Sequence, residues 1–136
     1  MKKPRILIVE AEAVTASDLK RQLTAENYEV VGIAATTEEA VRLAGELDPD
    51  LVLMDITLAS ELDGITAALA VRGTYHLPVV FLTAHADDAT IRRATLAGPF
   101  GYVLKPFQGA ELKAAIEVAL HKHRTETEMK EQGGAE

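Results

Sequence analysis

Asp50-Leu51-Val52-Leu53-Met54-Asp55 sets four apolar residues between two acids. The apolar centre is short, unbroken and free of alternation. It reads as a strand covered on both faces, the kind that builds parallel sheets. The acid that closes it, Asp55, then stands where the chain leaves the sheet. Four more short runs rich in Val, Ile and Leu have the same form, at 6–9, 30–35, 79–82 and 102–104.

Between these runs lie segments with helical spacing. The first sets Val14, Leu19 and Leu23 on one side and leaves Asp18, Lys20 and Arg21 to water. The second opens with Thr36 and Glu39, the pattern of a capping box, and carries Ala40, Val41, Leu43, Ala44 and Leu47. It ends at Asp48-Pro49, where proline cannot continue a helix. The third starts near Gly64 and runs through Ile65 and Leu69 to about Val71, with Gly73 weakening its end. The fourth follows Asp87-Asp88, acids suited to a helix N-terminus, and stops before Gly98-Pro99. The fifth begins after Pro106 and includes Leu112, Ile116, Ala119 and Leu120. It is expected to reach His123 or somewhat beyond and then fray, so that 1–123 form one domain and 124–136 a charged tail or the start of a linker helix. Five strand–helix pairs in strict alternation predict an α/β fold, a doubly wound parallel sheet with right-handed crossovers. In such folds ligands meet the chain beyond the carboxyl ends of the strands.

Composition limits what that site can be. The 136 residues suffice for one ordinary domain. There is no cysteine, hence no disulfide and no thiolate metal site. Lys and Arg number 14 against 21 Asp and Glu, a formal charge of −7, which argues against direct binding of nucleic acid. No apolar run approaches the roughly 20 residues of a membrane span, and the first residues do not resemble a signal peptide. The expectation is a cytoplasmic chain with no membrane partner.

The carboxyl ends carry Glu10 and Glu12 after the first strand, Asp55 after the third, Thr83 after the fourth and Lys105 after the fifth. Taken singly, each reads as a loop, cap or solvated residue. Together they match one chemistry. A carboxylate can accept a phosphoryl group, neighbouring acids can hold a divalent cation, and a hydroxyl and an ammonium can neutralise the transferred oxygens. The histidines, His76, His85, His121 and His123, show no ligand pattern and read as surface residues.

The sequence resembles the receiver domain of bacterial and archaeal response regulators over nearly all of residues 4 to 123. The resemblance rests on Ile6-Leu7-Ile8-Val9-Glu10, on the segment from Asp50 to Asp55 and on Asp63-Gly64. It rests further on Val79-Val80-Phe81-Leu82-Thr83-Ala84 and on Gly101-Tyr102-Val103-Leu104-Lys105-Pro106-Phe107. It is greatest to receivers that sit beside, or are joined to, sensory-box and histidine-kinase modules. The resemblance implies a flavodoxin-like (βα)5 sheet of order 2-1-3-4-5. It implies that Asp55 accepts a phosphoryl group from a phosphohistidine on a kinase or phosphotransfer protein, in a domain that is not an enzyme but assists its own phosphotransfer and dephosphorylation. Lys105 and Thr83 would bind the phosphoryl oxygens, and Tyr102 would be an aromatic switch following Thr83. Mg2+ would be held by Glu10 through water, by Asp55 and by the main-chain carbonyl of Thr57, a set suited to an ion that keeps much of its water. The Lys105-Pro106 bond would be cis. An output partner or fused output domain, and a homodimer through the fourth and fifth helices, are further implications.

Two features depart from the family. Its pair of acids after the first strand is here Glu10-Ala11, and a methyl group cannot ligate a metal. Glu12 could compensate only if the backbone stayed extended into the first helix, so weak Mg2+ binding is expected. The loop 57–62 lacks a common proline and is one residue longer than usual. Ala11 therefore keeps a second reading open, a receiver-like interaction module whose output ignores phosphate. A flavin enzyme of the same architecture fits less well, since Glu10 and Glu12 would repel an anionic cofactor.

Overall fold

Each apolar run is a strand and each segment between them a helix in the computed structural model, which describes residues 2–58, 63–84 and 87–134. The strands are β1 (Arg5–Val9), β2 (Glu29–Ala34), β3 (Leu51–Asp55), β4 (Val79–Thr83) and β5 (Gly101–Leu104). They alternate with α1 (Ala13–Ala25), α2 (Thr37–Leu47), α3 (Asp63–Tyr75), α4 (Asp88–Leu96) and α5 (Gly109–Gly134). All pairings are parallel, in the order β2-β1-β3-β4-β5. This is the expected doubly wound fold. The extra loop residues Ala59 to Leu62, and His85, lie outside the described residues.

Strand alternation divides the core into two layers. Leu7, Val9, Val52, Met54, Val79 and Phe81 face α2 and α3, meeting Ala40, Ala44, Ile65, Ala68 and Val71. Ile6, Ile8, Leu51, Leu53, Val80 and Leu82 face the other way, onto Leu19 and Leu23 of α1 and Leu112 and Ile116 of α5. Side chains such as Phe81, Leu53 and Ile8 are fully buried, each contributing roughly 1.5–3 kcal/mol of hydrophobic stabilisation. The central strands are thereby rigid, and so are the residues at their ends.

Local signals account for the helix limits. Thr36 caps α2 by accepting the Glu39 N–H at 3.1 Å, while the Glu39 carboxylate accepts the Ala35 N–H at 3.0 Å. Asp48 ends that helix in the left-handed conformation, φ 48°. Asp87 caps α4 through the Thr90 N–H.

Three expectations need correction. Val14 is 78% exposed, and α1 instead buries Ala16 with Leu19 and Leu23. Five residues separate Val14 from Leu19, so at about 100° per residue the two diverge by more than a third of a turn. The third helix does not stop near Val71 but continues to Tyr75. Its end is held by Tyr75, whose ring fills the space where a side chain at Gly45 of α2 would stand. His123 is not a plain surface residue. Its Nε2 lies 2.8 Å from the His76 main-chain oxygen, and its ring stands 6.0 Å from that of Phe100. That contact ties α5 to the loop before β4, and α5 then continues as helix through 124–134.

Candidate functional site

The strand order places the ends of β1, β3, β4 and β5 side by side, and ladder bonds just past the strands anchor the residues there. The Glu10 N–H donates to the Ala34 oxygen at 2.8 Å, the Ile56 N–H to Leu82 at 3.0 Å and the Lys105 N–H to Thr83 at 2.8 Å. Glu10, Asp55 and Thr83 are 3%, 6% and 1% exposed, so this end of the sheet holds buried polar groups that must be paired.

Lys105 joins the two acids. Its Nζ donates to Asp55 Oδ2 at 3.0 Å and to Glu10 Oε2 at 3.2 Å. The other Asp55 oxygen accepts the Thr57 N–H at 3.0 Å, and Glu10 Oε1 accepts the Glu12 N–H at 3.2 Å. Burial would lower the pKa of Lys105, but the hydrogen bonds and charges of Asp55 and Glu10 outweigh it and hold the ammonium above its ordinary value. Glu10 moves the opposite way for an acid. Burial, and then its hydrogen bond and charge repulsion with Asp55, push it from 4.5 up to about 7, against the pull of Lys105 and the Glu12 amide. Two carboxylates share one ammonium, and the site is short of positive charge.

Thr83 and Tyr102 stand on the neighbouring strands β4 and β5 and share a side-chain hydrogen bond. Tyr102 is half-buried against the α2–α3 layer. Burial raises its pKa, with the charge of Asp87 adding to the effect and the Thr83 hydrogen bond opposing it. The Lys105-Pro106 bond is cis.

Glu10, Asp55, Thr57 and Lys105 therefore form one hydrogen-bonded set, with the Thr83–Tyr102 pair on the adjoining strands. Glu12 joins it only through its main-chain N–H, and its carboxylate stays outside. It is the exposed N-cap residue of α1, and its Oε1 accepts the Thr15 hydroxyl at 2.8 Å. Ala11 is exposed and offers no donor atom. Among the described residues no group of three His, Cys, Asp or Glu side chains could hold a metal ion. The donor set of two adjoining carboxylates still fits a hard cation that keeps most of its water, because such an ion would supply the missing positive charge.

Two contributors were not assigned a role from the sequence. A β-carbon on Gly64 would lie 2.7 Å from Ile56 Cα and 2.8 Å from the Asp55 carbonyl carbon, so only glycine lets α3 begin this close to the end of β3. The Gly64 N–H donates to the Ile56 oxygen at 2.9 Å. The Asp63-Gly64 pair, an acid before a glycine at a helix start, was the available signal. Asp87 was read only as a helix cap, yet its charge also acts on Tyr102.

Comparison with known proteins yields a consistent set. A family model described as the response regulator receiver domain matches residues 6–117. The chain is 41% identical over 125 residues to the transcriptional regulatory protein PdtaR of Mycobacterium tuberculosis, covering 92% of this chain and 60% of PdtaR. It is 36% identical over 116 residues to the phyllosphere-induced regulator PhyR of Methylorubrum extorquens, covering 85% of this chain and 43% of PhyR. Both relatives extend well beyond the matched part. Among solved structures, the signal receiver domain of a modulated diguanylate cyclase from Desulfovibrio desulfuricans superposes with a TM-score of 0.86 at 40% identity, over 92% of this chain and 99% of that one. The N-terminal domain of a response regulator/sensory box/GGDEF three-domain protein from Carboxydothermus hydrogenoformans gives 0.81 at 38%, over 90% and 98%.

Proposed function

The chain belongs to the family of response regulator receiver domains, and from that premise we propose that it is a phosphorylation-controlled switch with Asp55 as the acceptor. The observation that carries this reading is the buried Asp55 carboxylate, held between the Lys105 ammonium and the Thr57 N–H with Glu10 alongside.

Asp55 attacks the phosphorus of a phosphohistidine on a kinase or phosphotransfer protein. The phosphorus–oxygen bond forms as the phosphorus–nitrogen bond breaks, and the departing imidazole keeps the electron pair. Thr57 N–H and Lys105 orient the carboxylate beforehand, so little reorganisation accompanies the attack. Lys105 then turns its charge to the phosphoryl oxygens, and the Thr83 hydroxyl donates to one of them. Glu10 through water, Asp55 and the Thr57 carbonyl would hold Mg2+, which supplies positive charge against those oxygens when bound. With Ala11 beside Glu10, that binding is weak. The domain is an acceptor that assists its own phosphorylation and dephosphorylation, not an enzyme acting on other substrates.

Drawing Thr83 toward the phosphoryl group breaks its hydrogen bond with Tyr102 and frees the ring to turn. The change reaches the α4–β5–α5 surface, which already exposes Ile91, Leu96, Leu104 and Val118. That surface engages an output partner, a fused output domain or a second copy of the chain, in the cytoplasm. No nucleic acid is contacted directly, in keeping with the charge of −7. The exposed Ala11 favours a second reading, in which the same surface acts without phosphate.

Incubation with acetyl phosphate and magnesium, followed by intact mass, tests the proposal. Wild type should gain one phosphoryl group, and Lys105→Met should gain it at least about a hundredfold more slowly, as for loss of a preorganised charge. Equal rates would remove Lys105 from the mechanism, and no adduct on wild type would favour the phosphate-independent reading.

A further inference from the structure

The end of the sheet opposite Asp55 carries a second depression, largely apolar in its lining and bordered by charged side chains, outside the phosphoacceptor site. A groove of about 550 Å³ lies between α3, the loop before β5 and α5, lined by Arg72, Phe100, His121, Lys122, Thr125 and Glu126. A narrower cleft of about 180 Å³ shares Arg72, Phe100 and Glu126 and extends it to His76 and His123. The larger space is an open groove rather than an enclosed cavity, with room for a small molecule laid along it.

Arg72 is set in place rather than waving in solvent. Its guanidinium lies 4.8 Å from the centre of the Phe100 ring. Gly98, at φ 67°, stands beside it, where a β-carbon would come within 2.9 Å of Nη1. Glycine thus serves twice, by adopting the left-handed backbone and by leaving room for the guanidinium. Among the described residues no carboxylate lies within ion-pair distance of Arg72 or Lys122. In the narrower cleft the bond from His123 to the His76 carbonyl oxygen ties α5 to the end of α3. Arg72, Lys122 and His121 face a single acid, Glu126, in a chain whose net charge is −7. With histidine neutral, the two cations and one acid leave the groove a local excess of one positive charge, which favours an anion there.

We propose that this groove binds a phosphate-bearing small molecule of about nucleotide size. A guanidinium fork presents parallel N–H donors that match a phosphate, and Lys122 adds a second positive charge on the α5 wall. The site is independent of phosphorylation at Asp55. Because α5 forms one wall, the ligand bridges the receiver body and the extended helix.

The whole chain would be titrated with AMP and with pyrophosphate at low salt, following backbone amides by NMR. Either ligand should give saturable shifts at residues 72–77, 98–101 and 121–127. Arg72→Gln and Lys122→Gln should each weaken binding at least about tenfold, while Glu126→Gln, which removes the one opposing charge, should tighten it. Lys122 is exposed, so its replacement tests the site even if Arg72→Gln disturbs folding. Three results would overturn the proposal: no saturable shift up to about 10 mM ligand, shifts centred on the Asp55 end, or unchanged affinity in Lys122→Gln.

Discussion

Replacing Glu10 by glutamine isolates the electrostatic cost built into the cluster of Glu10, Asp55 and Lys105. Glu10 is 3% exposed and lies beside Asp55, and its pKa rises from 4.5 to about 7. Between those values the folded chain binds more protons at this site than the unfolded chain does, so stability falls as pH rises. The contribution is fully present below about pH 4.5 and is lost as pH passes about 7. At about 1.4 kcal/mol for each tenfold change in proton affinity, ionising Glu10 within the fold costs on the order of 3 kcal/mol. Glutamine keeps the shape and cannot ionise. In EDTA at about pH 8, Glu10→Gln should be more stable than wild type by up to about 3 kcal/mol, reduced by its weaker bond to Lys105. For a chain of this size that is a rise of roughly 10 °C in Tm. Urea unfolding of both proteins from about pH 4 to 8.5 measures the effect, and the advantage should shrink toward zero at the acid end. A stability difference independent of pH would refute the reasoning, because it would place the effect in packing rather than in a shared charge.

Three other substitutions probe the geometry. Ala11→Asp adds a carboxylate beside Glu10, so it should lower Tm in EDTA through like-charge repulsion and raise it with magnesium; identical melting in both conditions would contradict the role given to Ala11. Gly64→Ala sets a methyl against the Asp55 and Ile56 backbone, which cannot yield as a flexible side chain would. It should cost about 3 kcal/mol or more and slow phosphorylation, both measurable by urea unfolding and intact mass. Thr36→Ala removes the α2 cap and should cost about 1 kcal/mol with the phosphorylation rate unchanged.

The fold could be read from the sequence because each strand is a short unbroken apolar run and several helix ends carry a turn or cap residue, Thr36, Asp48-Pro49, Asp87 and Gly98-Pro99 among them. The strand limits moved by one residue, since ladder bonds extend to polar neighbours such as Arg5 and Glu29, which hydropathy leaves out. The cluster at the strand ends was equally accessible, because Glu10, Asp55, Thr83 and Lys105 all stand there and the topology alone brings them together. What stayed hidden depends on tertiary contact. Whether Glu12 enters the site is decided by the backbone turn into α1, which gives its carboxylate to Thr15. Helical spacing puts His121 and His123 on different faces but cannot say which face meets the His76 carbonyl. The stacking of Arg72 on Phe100 joins residues from different elements, and no local pattern announces it.

The central claim is that Asp55 is the phosphoacceptor, and the most direct test compares wild type with Asp55→Asn. Both would be incubated with a small phosphodonor and magnesium, then read by intact mass and peptide mapping. The account predicts a single phosphoryl adduct on wild type, mapped to the peptide containing Asp55, and none on Asp55→Asn. An adduct of equal yield on Asp55→Asn would contradict it.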